Sequence, residues 1–260
     1  MANQNLPAML NNEVIKNRFN EVLGKNAAGF TSALLNIYQG SKQLQECDAR
    51  SILGAAGLAA TLKLSITPSL GQAYIVPFKG KAQFQVGVHG YIQLAHRTGQ
   101  YTRIHAGKVC EGEFKGFNPI TGEPILGEKI SDEVVGYVAY MRLVNGFEKW
   151  LYMSVAEIKE HGQKYSQSYS KSYSPWSTNF DAMACKTVLK KLLRTWGVLS
   201  ADLATAIQGD QSVVDKNTFT YTDNGGNVQN REEIYLPEEQ PNVDAETGEV
   251  METINVEAQV

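Results

Sequence analysis

Apolar positions in the first quarter of the chain recur three and four residues apart, which is the spacing of amphipathic helices. This pattern predicts short helices over residues 11–23 and 27–38, and Asp48 is a good N-cap for a third helix that reaches about residue 64. Because the third helix is apolar or small on nearly every side, we expect it to be buried. The pattern leaves open whether the protein's own core or a neighbouring subunit buries it.

After Thr67-Pro68 the apolar period changes to that of β-strands. Residues 73–78 and 82–88 surround a Lys79-Gly80-Lys81 turn and predict a β-hairpin. The later pattern predicts a helix over 90–99, a strand over 101–114, a loop over 116–129, a second hairpin over 134–153, a helix from Ser154 and a last helix over 179–196. The predicted fold class is α+β, a small antiparallel hairpin or meander flanked by helices.

Charge is divided unevenly along the chain. Residues 1–200 hold 22 Lys and Arg against 14 Asp and Glu, a net of +8, whereas residues 201–260 hold 2 against 13, a net of −11. From about residue 209 the apolar periodicity also disappears, so this segment cannot bury enough apolar surface to offset the entropy of ordering. We therefore predict a body over residues 1–208 and a disordered acidic tail over residues 209–260.

One stretch inside the body combines many cations with a complete lack of acidic residues. Residues 49–110 contain no Asp or Glu and seven Lys and Arg. Cations without nearby carboxylates stay available for phosphate groups, which they bind with release of counterions. The stretch therefore favours a nucleic-acid surface, although an ordinary solvated surface fits the composition as well. Its candidate phosphate contacts are Lys79, Lys81, Arg97, Arg103 and Lys108.

The last predicted helix carries a second set of cations. Lys186, Lys190 and Arg194 are spaced by four residues and form one stripe, with Lys191 beside it. We interpret this stripe as a phosphate-contacting ridge. A solvated helix face, whose cations are favoured by the helix C-terminal dipole, is the alternative.

Residues 165–180 interleave aromatic side chains with Ser and Lys. Such a composition suits a surface that stacks bases and follows a nucleic-acid backbone, with Tyr169, Lys171 and Trp176 as the candidate contacts. A loop that packs its rings on the core is the alternative. The spacing of the segment fits a helix and an extended chain equally well.

Enzymes and membrane proteins find little support in the sequence. The Gly-Lys pairs lack the upstream glycine of a P-loop, three histidines of the basic stretch (His89, His96 and His105) match no common zinc spacing, and the stretch offers no carboxylates for Mg²⁺. No signal peptide or membrane-length apolar run is recognisable, and the three cysteines suggest no disulfide framework. We expect a cytoplasmic protein that needs no metal or other cofactor.

Two long runs then resemble a known family. LSITPSLGQAYIVPFKGKAQFQVGVHGYIQLAHRTGQY at residues 64–101 and PWSTNFDAMACKTVLKKLLRTWG at residues 175–197 closely resemble the RecT family of phage-type single-strand annealing recombinases, and the resemblance covers about residues 10–200. It implies a non-enzymatic, ATP-independent protein of homologous recombination that binds single-stranded DNA in a basic groove and pairs complementary strands. The sequence is also similar in outline to the Redβ and Rad52 annealing proteins, and this similarity implies a Rad52-like annealing core.

The resemblance also implies partners and contacts. It implies a homo-oligomeric ring or helical filament, an annealed duplex intermediate, a 5′→3′ exonuclease partner, and a host single-strand-binding protein that docks on the tail in the bacterial cytoplasm. Basic positions of the family fall on Lys79, Lys81, Lys186, Lys190, Lys191 and Arg194. The alternative function is a passive single-stranded DNA-binding protein without annealing activity.

Overall fold

A computed structural model describes residues 5–220 except 167, 173, 216 and 217, and within them the fold is α+β, as predicted. The helices are α1 (Leu6–Leu10), α2 (Glu13–Leu23), α3 (Ala27–Gly40), α4 (Lys42–Gln45), α5 (Ala49–Thr61), α6 (Val88–Arg97), α7 (Val155–Tyr165), α8 (Pro175–Thr178), α9 (Phe180–Trp196) and α10 (Ala201–Gly209). The strands are β1 (Ala73–Phe78), β2 (Lys81–Val86), β3 (Tyr101–Cys110), β4 (Phe114–Phe117), β5 (Pro124–Leu126), β6 (Val134–Leu143), β7 (Glu148–Ser154), β8 (Val213–Asp215) and β9 (Thr218–Thr220).

Strands β1 and β2 form the predicted antiparallel hairpin. Lys79 and Gly80 at its turn have φ values of 47° and 75°, the backbone that a tight two-residue hairpin turn requires. Phe84 and Val86 of β2 are completely buried, and the hairpin packs against α5. Ala82 N–H donates to Ser51 Oγ at 2.7 Å, which fixes the hairpin to the first turn of α5.

Helix α5 is buried in the protein's own core, which decides between the two alternatives that its sequence left open. Asp48 caps it as predicted, because its carboxylate accepts the N–H of Arg50 at 3.1 Å. A Cβ on Gly54 would lie 2.1 Å from the carbonyl oxygen of Val214. The small side chains of α5 therefore permit close packing within one chain.

Strands β3, β6 and β7 form an antiparallel sheet in the order β3-β6-β7, and α9 packs on one of its faces. Ala139 and Met141 of β6 are fully buried beneath that helix. Between β3 and β6, the segment predicted as a loop contains the small β4–β5 hairpin. The Phe114 ring stacks on Tyr152 of β7, with a centroid separation of 4.3 Å, and so anchors this hairpin to the sheet.

The folded body continues past the predicted boundary after residue 208. Asp210 and Ser212 are buried, the N–H of Phe84 donates to the carbonyl oxygen of Ser212 at 2.9 Å, and the N–H of Gln211 donates to that of Phe84 at 2.8 Å. Val214 packs on α5. This segment is too short to show an apolar period, so its sequence alone predicts part of the tail. The predicted disordered tail beyond residue 220 lies outside the described residues.

A pair of truncations tests the corrected boundary. We expect a chain that ends at residue 220 to unfold at the same temperature as the full chain. A chain that ends at residue 208 loses Asp210 and the strand beside β2, and should therefore unfold at a temperature at least about 10 °C lower. Thermal unfolding followed by circular dichroism measures both, and equal melting temperatures for the two truncations would restore the earlier boundary.

Candidate nucleic-acid interface

The stripe predicted on α9 faces largely into the protein. Lys186 Nζ lies 2.9 Å from Asp210 Oδ1, and Lys190 Nζ lies 3.0 Å from Asp210 Oδ2. The side chains of Asp210 and Lys186 are only 1% and 9% exposed. The structure therefore does not support Lys186 and Lys190 as phosphate contacts, because both ammonium groups are bound to the Asp210 carboxylate. That carboxylate is 24 and 20 residues away from them in the chain.

Four donors converge on the buried Asp210 carboxylate. Besides the two lysines, the N–H of Val86 and the hydroxyl of Tyr91 each donate to it at 2.9 Å. Burial alone would raise the pKa of Asp210, but the two ammonium groups and the Val86 N–H outweigh burial and hold the pKa well below its usual value. The carboxylate therefore stays charged and ties the end of α10 to α9, β2 and α6.

The remaining two cations of the stripe, Lys191 and Arg194, are half-buried on α9 and have contacts within the chain. They do not form a continuous exposed ridge with Lys186 and Lys190. The ridge was predicted because α9 itself has no acidic residue after its first turn. Asp210, which follows α10, nevertheless contacts the helix.

Three described rings of residues 165–180, those of Tyr169, Trp176 and Phe180, pack on the core, as the alternative interpretation held. Trp176 is 7% exposed, and its ring lies 5.5 Å from that of Tyr169 and 5.9 Å from that of Phe180. A Cβ on Gly162 would lie 2.5 Å from the Tyr169 ring. Base stacking on Trp176 is therefore not supported. Lys171 is exposed in a turn between α7 and α8, so the segment is neither one helix nor a fully extended chain.

Three predicted contacts of the acid-free stretch also separate in space. The Arg97 guanidinium donates to the carbonyl oxygens of Leu62 and Lys63 at 2.6 and 2.7 Å, and thereby caps the end of α5. Lys108 forms an ion pair with Asp181 of α9. Arg103 lies five positions before Lys108 on β3, and because strand side chains alternate between the two faces, it points to the opposite face of the sheet. A groove on one face of the sheet cannot contain both Arg103 and Lys108, and the Arg97 guanidinium is already engaged by the end of α5.

Of the predicted contacts, Lys79 and Lys81 do lie together, on the β1–β2 hairpin. Lys79 and Lys81 are exposed at its turn, and Tyr74, Val76 and Phe78 share one exposed or half-buried face of β1. The Lys79 ammonium lies 5.1 Å from the centre of the Phe78 ring. At about 3.3 Å per residue, β1 is about 20 Å long, enough to accompany several nucleotides of an extended strand.

A cleft of about 690 Å³ opens beside the other end of the hairpin. It lies between the connection from α2 to α3 and the loop that leads from α5 to β1, and Lys25 and Lys63 line it from opposite sides. Amide and hydroxyl groups of Asn26, Gln72 and Thr67 add hydrogen-bonding capacity, and none of the described residues that line the cleft is acidic. We call the cleft and the exposed face of β1, which follows Gln72 of the cleft wall in the chain, the hairpin track; its chemically informative side chains are Lys25, Lys63, Tyr74, Phe78, Lys79 and Lys81.

Two lysines of the hairpin track occupy positions that favour glycine. Lys63 has a φ of 51° immediately after α5, and Lys79 has a φ of 47° in the hairpin turn. A left-handed backbone costs a residue with a Cβ about 1 kcal/mol or more, which glycine avoids. Glycine would avoid this cost at both positions, so lysine is not the residue that backbone stability alone favours there.

The substitution Lys63→Gly separates the effect of the lysine on backbone strain from its effect on DNA binding. We expect unchanged stability or a gain of up to about 1 kcal/mol, because the backbone strain is relieved. Affinity for single-stranded DNA should fall about tenfold, since one charged contact is lost. Lys63→Arg is the matched control and should keep the affinity. A Lys63→Gly protein that is less stable and binds DNA normally would show that this lysine serves the fold.

Sequence reasoning missed the cleft for a clear reason. Lys25 precedes the acid-free stretch by more than twenty residues, and Lys63 belongs to the stretch but was not selected as a contact. Only the packing of α2 and α3 against the loop after α5 brings the two together. The single sequence signal that could have identified Lys63 is its place after a helix, where glycine is usual.

Two negative observations concern the described part of the chain. There, no three His, Cys, Asp or Glu side chains cluster in a way that could hold a metal ion. None of the helices in residues 5–220, as far as these are described, combines the length and the apolar character that crossing a membrane requires.

Comparison with known proteins identifies relatives of this chain. The model of the RecT family matches residues 28–223. The uncharacterized protein YqaK of Bacillus subtilis strain 168 is 44% identical over 204 residues, which are 78% of this chain and 70% of that protein. Protein RecT of Escherichia coli K12 is 29% identical over 179 residues, which are 65% of each chain.

Proposed function

Because this chain belongs to the RecT family, a family of single-strand annealing proteins of DNA recombination, we propose that it pairs complementary DNA strands without ATP and that the hairpin track holds one of them. The observation that carries this proposal is the acid-free cleft with Lys25 and Lys63, whose wall includes Gln72 immediately before the hairpin that exposes Lys79 and Lys81. A passive single-strand-binding protein is the alternative.

The hairpin track suits a strand that must remain readable. Lys25 and Lys63 at one end, and Lys79 and Lys81 at the other, attract the phosphates. Tyr74 and Phe78 offer ring faces on which bases of any sequence can stack. Two strands repel each other through their phosphates, so binding one of them to cations lowers the barrier to meeting the second. Base pairing then selects the complement, and the product duplex drives the reaction.

Assembly multiplies these contacts. In a homo-oligomeric ring or helical filament, neighbouring subunits bind successive parts of one strand, so weak contacts in each subunit add up to tight binding. The reaction makes and breaks no covalent bond, and it therefore requires neither a catalytic residue nor a cofactor. We further propose that the protein acts in the bacterial cytoplasm beside a 5′→3′ exonuclease and a host single-strand-binding protein, which dock on the acidic tail.

An annealing assay tests this function. Two complementary oligonucleotides, one with a fluorophore and one with a quencher, are mixed with the protein at low salt, without ATP or metal. We expect pairing well above the spontaneous rate and no acceleration for noncomplementary strands. A passive binder would coat both strands and leave pairing at or below the spontaneous rate, which would decide for the alternative.

A further inference from the structure

The sheet of β3, β6 and β7 has a second face that points away from the core. Helix α9 covers the face on which Ala139 and Met141 lie. Because side chains alternate along a strand, the neighbours of these two residues in the sequence point the other way. We call the side of the sheet opposite α9 the outer face. The β4–β5 hairpin covers one end of it, where Phe114 stacks on Tyr152, and the other end bears two rows of polar and aromatic side chains.

The row farther from the β4–β5 hairpin is charged. Arg103 of β3 lies directly opposite Arg142 of β6, which lies opposite Glu148 of β7. Arg142 Nε is 3.1 Å from Glu148 Oε1, so this carboxylate neutralises one of the two arginines. Arg103 is exposed and forms no ion pair with any described residue. Since like charges directly opposite each other destabilise a sheet, Arg103 is not the residue that sheet stability alone favours there.

The adjacent row is aromatic. His105 of β3, Tyr140 of β6 and Trp150 of β7 lie opposite one another. The Tyr140 and Trp150 rings stack with a centroid separation of 5.1 Å. His105 is exposed, and the two larger rings are partly exposed. The two rows are two residues apart on each strand, so about 7 Å separates the rings from the arginines.

A glycine keeps space open beside the rings. A Cβ on Gly107 would lie only 2.8 Å from His105 Nε2. The imidazole therefore leans along β3 towards Gly107, which is the direction away from Arg103. This orientation leaves the part of the outer face between Arg103 and Tyr140 accessible from solvent.

A row of rings beside a row of cations fits one strand of nucleic acid. Bases of any sequence stack on aromatic rings, and arginine binds the phosphates. Sheet faces with exposed aromatic side chains bind two or three bases of a single strand in this manner. A duplex does not fit, because its bases are already stacked and paired. Among the described residues of the three strands, Glu148 is the one acidic side chain on this face, and it already accepts from Arg142 and from the Tyr140 hydroxyl, so the charged row keeps a net charge of +1.

We propose that the outer face, through Arg103, Tyr140 and Trp150, is a second site for single-stranded DNA, separate from the hairpin track. The hairpin track belongs to a different sheet. This inference rests on the proposed function, since annealing needs two strands and the hairpin track holds one of them. A second strand that is held on the same assembly meets the first at a much higher effective concentration than a free strand does.

A double variant removes the second site. This sheet variant is Arg103→Gln and Trp150→Val, which deletes the unpaired charge and one ring, while valine retains a strand-forming residue at position 150. The matched controls are Arg18→Gln on α2 and Phe147→Val in the β6–β7 turn, which remove an exposed cation and an exposed ring elsewhere. Thermal unfolding followed by circular dichroism checks that all variants are folded.

Binding of one strand and pairing of two strands should respond differently. We expect the sheet variant to bind a limiting labelled oligonucleotide within about twofold of wild type, because the hairpin track is intact. Capture of the second strand loses a charged contact and a stacked base, about 50-fold in affinity, so annealing should be at least about tenfold slower. The controls should anneal like wild type. A folded sheet variant that anneals as fast as the controls overturns the second site.

Photocrosslinking of the unmodified protein tests the site without any substitution. An oligonucleotide in which bromodeoxyuridine replaces thymidine is added in excess and irradiated, and the crosslinked peptides are identified by mass spectrometry. We expect crosslinks to Tyr140 or Trp150 in addition to those on the hairpin track. Crosslinks on the hairpin track without any on residues 134–154 contradict the proposal.

The annealing assay keeps this inference separate from the proposed function. Wild type that accelerates pairing but forms no crosslink on the outer face refutes the second site alone. Wild type that fails to accelerate pairing while its Tyr140 or Trp150 crosslinks to DNA refutes the annealing function alone.

Discussion

Replacing Asp210 with alanine should destabilise the protein by about 3–5 kcal/mol, the range seen when one partner of a buried ion pair is removed. Lys186 would remain almost fully buried without its carboxylate, and the Tyr91 hydroxyl and the Val86 N–H would lose their acceptor. Urea unfolding at pH 7 measures this loss. Asp202→Ala is the matched control, since that carboxylate is exposed in the first turn of α10, the helix that Asp210 directly follows, and contributes about 1 kcal/mol at most.

The pH dependence of the same pair of proteins gives a second test of Asp210. Its pKa is lower in the folded than in the unfolded protein, so its contribution is fully present above the unfolded pKa of about 3.9 and is lost as the pH falls below that value. The difference in stability between wild type and Asp210→Ala should therefore be constant from pH 7 to about pH 5 and shrink below about pH 4. A constant difference down to pH 3 would mean that the Asp210 charge does not stabilise the fold.

Reversing the charge of the cleft with Lys25→Glu and Lys63→Glu should nearly abolish annealing. Each charged contact contributes about 1.5 kcal/mol or more, so affinity for single-stranded DNA should fall at least about 100-fold. The slope of log affinity against log salt should become shallower by about 1.4, because about 0.7 is lost for each single-strand phosphate contact. Fluorescence anisotropy at several salt concentrations measures both quantities.

A matched double reversal controls for net charge. Lys159→Glu and Lys164→Glu change the total charge equally on exposed residues of α7, away from the cleft. This control should keep its affinity within about twofold and keep most of the salt slope. Equal losses in both double variants would show that total charge, and no particular groove, governs DNA binding.

Much of the fold could be predicted because most helices and strands show the spacing of apolar residues that is typical of their type. The hairpin from Ala73 to Val86 and the long helix α9 both show their apolar pattern over ten or more residues. The segment around Asp210 shows no such pattern, since a buried carboxylate, backbone hydrogen bonds to Phe84 and the packing of Val214 on α5 attach it to the body. A local pattern shows which face of a helix or strand is apolar. It does not show whether a polar side chain there will bind a residue that is distant in the sequence.

The candidate site was predictable only in part for the same reason. Charge counting along the sequence correctly identified Lys79 and Lys81 as exposed cations. It could not distinguish them from Lys186, which has the same side chain but is neutralised by a distant residue, or from Arg97, whose guanidinium caps a helix. Helical spacing made the α9 stripe look like a surface, whereas burial on both sides of α9 could be seen only in the folded protein.

Lysine acetylation footprinting of the unmodified protein tests the hairpin track most directly. The protein is acetylated with and without an oligonucleotide of one strand, and the modified lysines are quantified by mass spectrometry. The account predicts that DNA protects Lys25, Lys63, Lys79 and Lys81 and leaves Lys159 as reactive as before. Unchanged reactivity at Lys25 and Lys63 while DNA is bound would contradict it.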